Sequence, residues 1–179
     1  MQMNDARQID APPAVVWAAL LEPAVLKAAV PGCEELSGSP EEGFEAVVVQ
    51  KVGPVRARFA GKVTLSDRVE GESLTLSGEG KGGAAGFAKG AAQVRLEPSN
   101  GGTLLHYAVE AKVGGKLAQL GSRIIDGFAR KMADDFFARF AQAVEGPGDT
   151  EAEVPEDNAA ATDEAAPRKG WFRRVLGSE

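Results

Sequence analysis

The sequence predicts an α+β protein, a strongly bent antiparallel sheet closed by one long C-terminal helix. Three observations carry this. Apolar residues alternate with a period of two through most of residues 42–113. From Lys116 to Glu145 they recur instead at three- and four-residue spacing, as on one face of an α-helix. Near the N-terminus, two proline-initiated segments are each too short to supply a core.

Met1 to Ile9 reads as a first strand. Asp10 is a candidate N-cap, and Pro12 and Pro13 suit the first turn of a short helix carrying Val15, Val16, Trp17, Leu20 and Leu21. Pro23 starts a second helix, which must end before Pro31-Gly32. The two together suit a corner that braces one end of a sheet.

Glu42–Val52 and Val55–Asp67 flank Gly53-Pro54, a turn signal. If Val52 faces Val55 across that turn, one face carries Phe44, Ala46, Val48, Gln50, Val52, Val55, Ala57, Phe59, Gly61, Val63 and Leu65. The other carries Lys51, Arg56, Arg58, Lys62 and Thr64. Such a pattern belongs to antiparallel sheet with one wet face. Ser73–Gly80, Ala91–Glu97 and Thr103–Val113 add three more strands, the last two joined by a loop at Pro98–Gly102. The period of two begins at Cys33, and the expected order is a strand, two short helices, about six antiparallel strands and one long helix.

The closing helix is expected over the thirty residues Lys116–Glu145, bounded by Gly114-Gly115 and by Gly146-Pro147-Gly148. Its apolar stripe does not hold one phase. Leu117, Leu120, Gly121, Ile124, Ile125, Phe128 and Met132 share one side. Ala133, Phe136, Phe137, Phe140 and Val144 lie about 120° round the axis. Either the helix bends, or its halves meet different surfaces.

The inward face is short of bulk, with Ala46, Ala57, Gly61, Gly78, Gly80, Gly90 and Ala92 on strands and Gly121 expected mid-helix. Glycines let a sheet bend and a helix approach closely. Small residues also leave room for an apolar ligand. Composition leaves both readings open. Gln50 and Tyr107 are the inward polar tips. A buried amide left unpaired costs about 1–3 kcal/mol, so Gln50 needs backbone, water or a ligand carbonyl.

Catalytic chemistry is missing. His106, the single histidine, alternates outward, and Cys33, the single cysteine, reads as a small, half-buried residue. One cysteine excludes an intrachain disulfide and a cysteine-based zinc site. Glu34-Glu35, Glu41-Glu42 and Asp134-Asp135 are adjacent in sequence, so their carboxylates diverge into solvent. The glycines of residues 78–90 match neither a P-loop nor a dinucleotide fingerprint. The basic residues of the domain read as scattered, without aromatic interleaving, and no nucleic-acid site is expected.

Several stretches resemble the G-subunit family of carbon monoxide dehydrogenase over residues 1–145. They are Val30-Pro31-Gly32-Cys33-Glu34, Val52-Gly53-Pro54-Val55 with Phe59-Ala60-Gly61-Lys62-Val63, the Gly86…Gly90-Ala91-Ala92 run, and Tyr107 followed by Val113–Gly121. The resemblance implies a helix-grip fold of the START and Bet v 1-like superfamily, with seven strands wrapped on the C-terminal helix and a cavity between them. It also implies a non-catalytic accessory to a molybdenum hydroxylase such as aerobic carbon monoxide dehydrogenase, linked to membrane recruitment and to carrying a quinone. No catalytic residue carries over. By strand and helix parity, the residues expected to contact such a ligand are Val48, Gln50, Phe59, Val63, Tyr107, Leu117, Gly121, Ile124 and Phe128. Gln50 and Tyr107 would meet its polar head, and a side chain added at Gly121 would fill the cavity. A recruitment adaptor with an incidental cavity is the alternative. A polyketide cyclase- or hydratase-like enzyme is a third reading, which would need an acid and a base where only Gln50 and Tyr107 are found.

Charge divides the chain in three. Residues 1–145 carry 16 basic and 18 acidic side chains. Residues 146–167 carry seven acids and no base, and are expected to form a disordered linker. Residues 168–179 hold Arg168, Lys169, Arg173 and Arg174 around Trp171, Phe172, Val175 and Leu176. As a helix this stretch would reach about 18 Å, too short to span a bilayer core of about 30 Å. Its composition fits an interfacial anchor on the inner leaflet. No apolar run reaches the length of a spanning helix, and the expected location is cytoplasmic, peripheral on the inner face of the cell membrane.

Overall fold

The computed structural model describes residues 1–145, and the linker and tail expectations for residues 146–167 and 168–179 lie outside the described residues. Seven strands run in the order β1-β7-β6-β5-β4-β3-β2, every neighbouring pair antiparallel. They are β1 (Gln2–Ile9), β2 (Cys33–Ser39), β3 (Gly43–Val52), β4 (Val55–Val69), β5 (Ser73–Lys81), β6 (Phe87–Ser99) and β7 (Gly102–Gly114). Helices α1 (Pro13–Leu20) and α2 (Pro23–Ala29) follow β1, and α3 (Ser122–Glu145) ends the domain.

Strand β2 is the one whose limits alternation did not reveal. Its sequence, Cys-Glu-Glu-Leu-Ser-Gly-Ser, offers little apolar alternation, and it slips register against β3 between Cys33 and Glu35. Elsewhere the parity holds. Val52 faces Val55 across the turn, Val48 faces Phe59, and Gln50 faces Ala57. Exposure along β4 alternates residue by residue between half-buried and exposed through residue 66, as one covered face requires.

The start of α1 differs from expectation. Pro12 occupies the N-cap, without a side-chain cap. The Asp10 N–H instead donates to Glu145 at the end of α3, at 2.9 Å. Buried Thr103 donates its hydroxyl to the Ala11 carbonyl, at 2.7 Å, fixing the chain's exit from β1 onto β7.

The closing helix is shorter than expected. Gly115–Leu120 forms a 3-10 turn, and Gly121 ends it at φ 90°, ψ 156°. That backbone is hostile to L side chains, so the glycine breaks the rod rather than lying within it. The α-helix then starts at Ser122, and 24 residues give a length of about 36 Å.

Its two apolar faces meet different surfaces. Ala133, Phe136, Phe137, Phe140 and Val144 pack into a main cluster with Ile9, Val16, Trp17, Leu74, Val94, Leu96, Leu105 and Tyr107. Ile125 and Phe128 join a separate, smaller cluster with Val52, Leu117, Val55, Phe59, Val113, Leu120 and Met1. Helix α3 lies closest to α2 and approaches the sheet on its β1 and β3 sides. One rod thus closes both ends of a bent sheet.

Phe140 is fully buried at the centre of the main cluster, and its ring stacks on Phe136 at 5.6 Å. Phe140→Ala should cost about 3–5 kcal/mol in a urea denaturation series. Phe128→Ala, at a half-buried position of the smaller cluster, should cost clearly less.

Candidate functional site

Between the two clusters the sheet presents a band of small residues. Strand register aligns Ala46, Gly61, Gly80 and Ala88 in one row across β3–β6. The adjacent row runs Val63, Gly78, Gly90 and Ala111 across β4–β7. By strand parity these positions face the helix side, and they are half-buried rather than buried. Some of the smallness is backbone packing. A Cβ on Gly90 would fall 2.2 Å from the Glu110 carbonyl oxygen, and one on Gly61 would fall 2.8 Å from that of Glu79. Glycine is therefore required there by strand crowding, and the vacant depth is a consequence of it.

The ends of the band are closed differently. Phe59 turns its ring over Gly82, where an added Cβ would meet it at 2.4 Å, and shuts the end nearest the β3–β4 turn. At the other end Tyr107 is buried and stacks on Phe137 with ring centroids 5.0 Å apart. Its hydroxyl accepts from Arg7 at 3.2 Å. Arg7 also donates to Asp134 at 2.7 Å and lies 5.2 Å from the centre of the Phe137 ring. Burial opposes the Arg7 charge, but its hydrogen bonds to Asp134 and Tyr107 outweigh that and hold the guanidinium above its usual range. An opening of about 740 Å³ lies between β7 and the start of α3, its lining mixed: Met1, Val113, Gly121 and Ile125 together with Lys112 and Asp126.

The expected contact residues are thus distributed rather than gathered. Phe59, Leu117 and Phe128 meet in the smaller cluster. Val48 and Val63 lie half-buried on the concave face. Tyr107 belongs to the main cluster, away from them. Gln50 donates its amide to the Pro31 carbonyl, so that donor is already committed to the loop after α2. Ile124 is 41% exposed and lies against the β3–β4 turn, where an added Cβ on Gly53 would meet it at 3.5 Å. Buried Ile125 takes the inward place instead, because the helix phase is set at Ser122 rather than at Lys116. A Cβ at Gly121 would meet nothing within 4 Å, and its φ of 90° would strain any side chain placed there. Val52, Val113, Ile125 and Met1 close the same end without having been among the expected contacts.

Among the described residues no group of three or more His, Cys, Asp or Glu side chains is placed to hold a metal ion. His106 lies on the outer face with its Nε2 3.3 Å from Glu97. A hydrogen bond from Arg95, and then one from His106, hold the Glu97 carboxyl below its usual range. Burial pushes the Cys33 thiol up, against a smaller opposing effect of Lys27. All of the adjacent carboxylates but Glu42 lie beside cations, and all but Asp135 are exposed. Arg58 engages Glu34 and Glu35, Arg68 lies 3.5 Å from Glu41, Lys131 holds Asp135 at 2.8 Å, and Asp134 holds Arg7.

A curved seven-stranded sheet gripping a C-terminal helix, with two short helices after the first strand, defines a helix-grip protein. The sequence matches the family model of the carbon monoxide dehydrogenase G subunit (CoxG) over residues 6–145, and the chain belongs to that family. Among solved structures, a conserved protein from Geobacillus kaustophilus is 26% identical, with TM-score 0.76, covering 81% of this chain and 95% of its own. A Chromobacterium violaceum protein (18% identity, TM-score 0.60, 80% and 96% coverage) and one from Rhizobium leguminosarum (18%, 0.63, 81% and 94%) share the fold. No curated protein matches the sequence.

The Gln50 bond is a local tie between β3 and the loop after α2. Gln50→Leu should lower stability by about 1 kcal/mol, read from the denaturant midpoint, by leaving the Pro31 carbonyl without its donor. Ligand content should be unchanged in this variant; a drop there would return Gln50 to the binding surface.

Proposed function

We propose that this chain is a non-catalytic carrier that holds an apolar, quinone-type molecule between its sheet and α3. In this reading it links a molybdenum hydroxylase such as carbon monoxide dehydrogenase to the membrane respiratory chain. The observation that carries the proposal is the band of small, half-buried residues left between two separate apolar clusters. A protein whose only task was to hold a surface for a partner would gain by filling that space, since native interiors are close-packed and an open band forfeits contacts. The band itself is made of glycine, alanine and valine, an apolar surface of the kind small-molecule sites use. Family membership supports the accessory role. Residues 168–179 would supply reversible attachment, each cation near an anionic leaflet contributing about 1 kcal/mol.

Ala88 lies in the small-residue band, facing the helix side between Gly80 and Val113. Ala88→Phe should occupy the space while leaving both clusters intact. Native mass spectrometry and solvent extraction of the protein from its own cells should find an isoprenoid or similar lipid in the parent chain and little in the variant. A parent chain that comes out empty, or a variant that retains the molecule, would overturn the carrier reading. The first of these results would favour a recruitment adaptor.

A further inference from the structure

The fold sorts charge by end. The β3–β4 turn, the loop between β5 and β6, and the segment between β7 and α3 all lie at one end of the sheet. They touch: a Cβ on Gly53 would meet Ile124 and Leu120, and one on Gly86 would meet Gly114 and Gly115. Residues 50–60, 80–90 and 112–124, which build this end, carry Lys51, Arg56, Arg58, Lys81, Lys89, Lys112, Lys116 and Arg123 and no acidic residue; just outside them, Glu79 faces Lys89 across β5–β6 and Asp126 lies beside the opening at the start of α3. All eight are exposed. Arg58 is taken by Glu34 and Glu35; the other seven make no ion pair among the described residues. The opposite end, residues 39–45, 67–72 and 97–103, carries seven acids and only Arg68. Basic residues that look scattered along the chain are therefore gathered by the topology, correcting the expectation from sequence.

Phe87 and Ile124 are exposed at the basic end, by 39% and 41%. Val15 and Val69 are equally exposed elsewhere, Val69 among the acids of the far end. Exposed apolar area alone does not choose an end; charge does. We propose that the basic end of the folded domain is a docking surface for an anionic lipid bilayer, with Phe87 and Ile124 entering the headgroup region. The contact is distinct from the one assigned to residues 168–179. It follows from the charge layout and needs no particular ligand. An anionic bilayer fits better than a nucleic acid, because two apolar side chains among cations suit an interface and Phe87 alone makes no stacking platform. The opening between β7 and the start of α3 lies at this same end, so docking would turn it toward the lipid.

The test uses the full chain carrying Trp171→Glu and Phe172→Glu, which silences the tail. This protein should still sediment with vesicles of phosphatidylcholine and phosphatidylglycerol, should not sediment with phosphatidylcholine alone, and should lose binding as salt rises. Adding Lys51→Ala, Arg56→Ala and Lys81→Ala should weaken binding about a hundredfold. Lys27→Ala with Arg95→Ala, away from this end, should leave it nearly unchanged. No vesicle binding once the tail is silenced, equal losses from both sets, or tight binding to nucleic acid or an acidic protein without vesicle binding would each overturn the inference. Ligand content of the same variants reports separately on the carrier reading, because docking is judged by the vesicles whether or not a molecule is retained.

Discussion

The interior depends on a mismatch between one helix and the sheet it closes. A straight rod of about 36 Å cannot follow the concave face of a strongly bent seven-stranded sheet along its whole length. Here α3 seals two places. Its Phe136-Phe137-Phe140 face meets the main core at one end, and Ile125 and Phe128 meet Val52, Leu117 and Phe59 at the other. The glycines of β4–β6 leave the sheet's middle without side chains long enough to reach the helix. Close strand crowding makes Gly61 and Gly90 hard to replace, so the backbone's own packing maintains part of the open band.

Gly121 sets how the second closure works. With its left-handed backbone it stops the 3-10 turn and lets α3 begin in a new direction. Leu117 and Leu120 thus reach the smaller cluster from the turn, while Ile125 and Phe128 reach it from the helix. Had the helix run unbroken from Lys116, Ile124 would have pointed inward. The Arg7–Asp134–Tyr107 group plays the matching part on the β1 side, tying the first strand to α3 beside the main core. Its charge survives partial burial because a carboxylate and two aromatic rings surround it.

Strand parity was legible wherever one face is wet, since a slip of one residue would turn Phe59 and Val63 out to solvent. Strand β2 had no legible limits because Glu34, Glu35, Ser37 and Gly38 give it almost no apolar rhythm; it lies at the sheet edge and is specified by pairing with β3. Gln50 was correctly placed inward, but its partner, the Pro31 carbonyl, comes from a loop 19 residues away in sequence. Tyr107 was correctly placed inward too, yet parity could not say which of two clusters it would join.

By itself, the sequence determined the class of fold, the inward and outward faces of most strands, and the change of phase in the apolar stripe of the last helix. These are local properties, written in periods of two and of 3.6 residues. Tertiary structure alone decided that Gly61, Gly78, Gly80 and Gly90 stand side by side, that Gly121 breaks the rod, and that eight dispersed cations share one end. Those outcomes depend on strand order and on the reversal of direction at each hairpin, which bring distant residues together by pairing rather than by spacing along the chain.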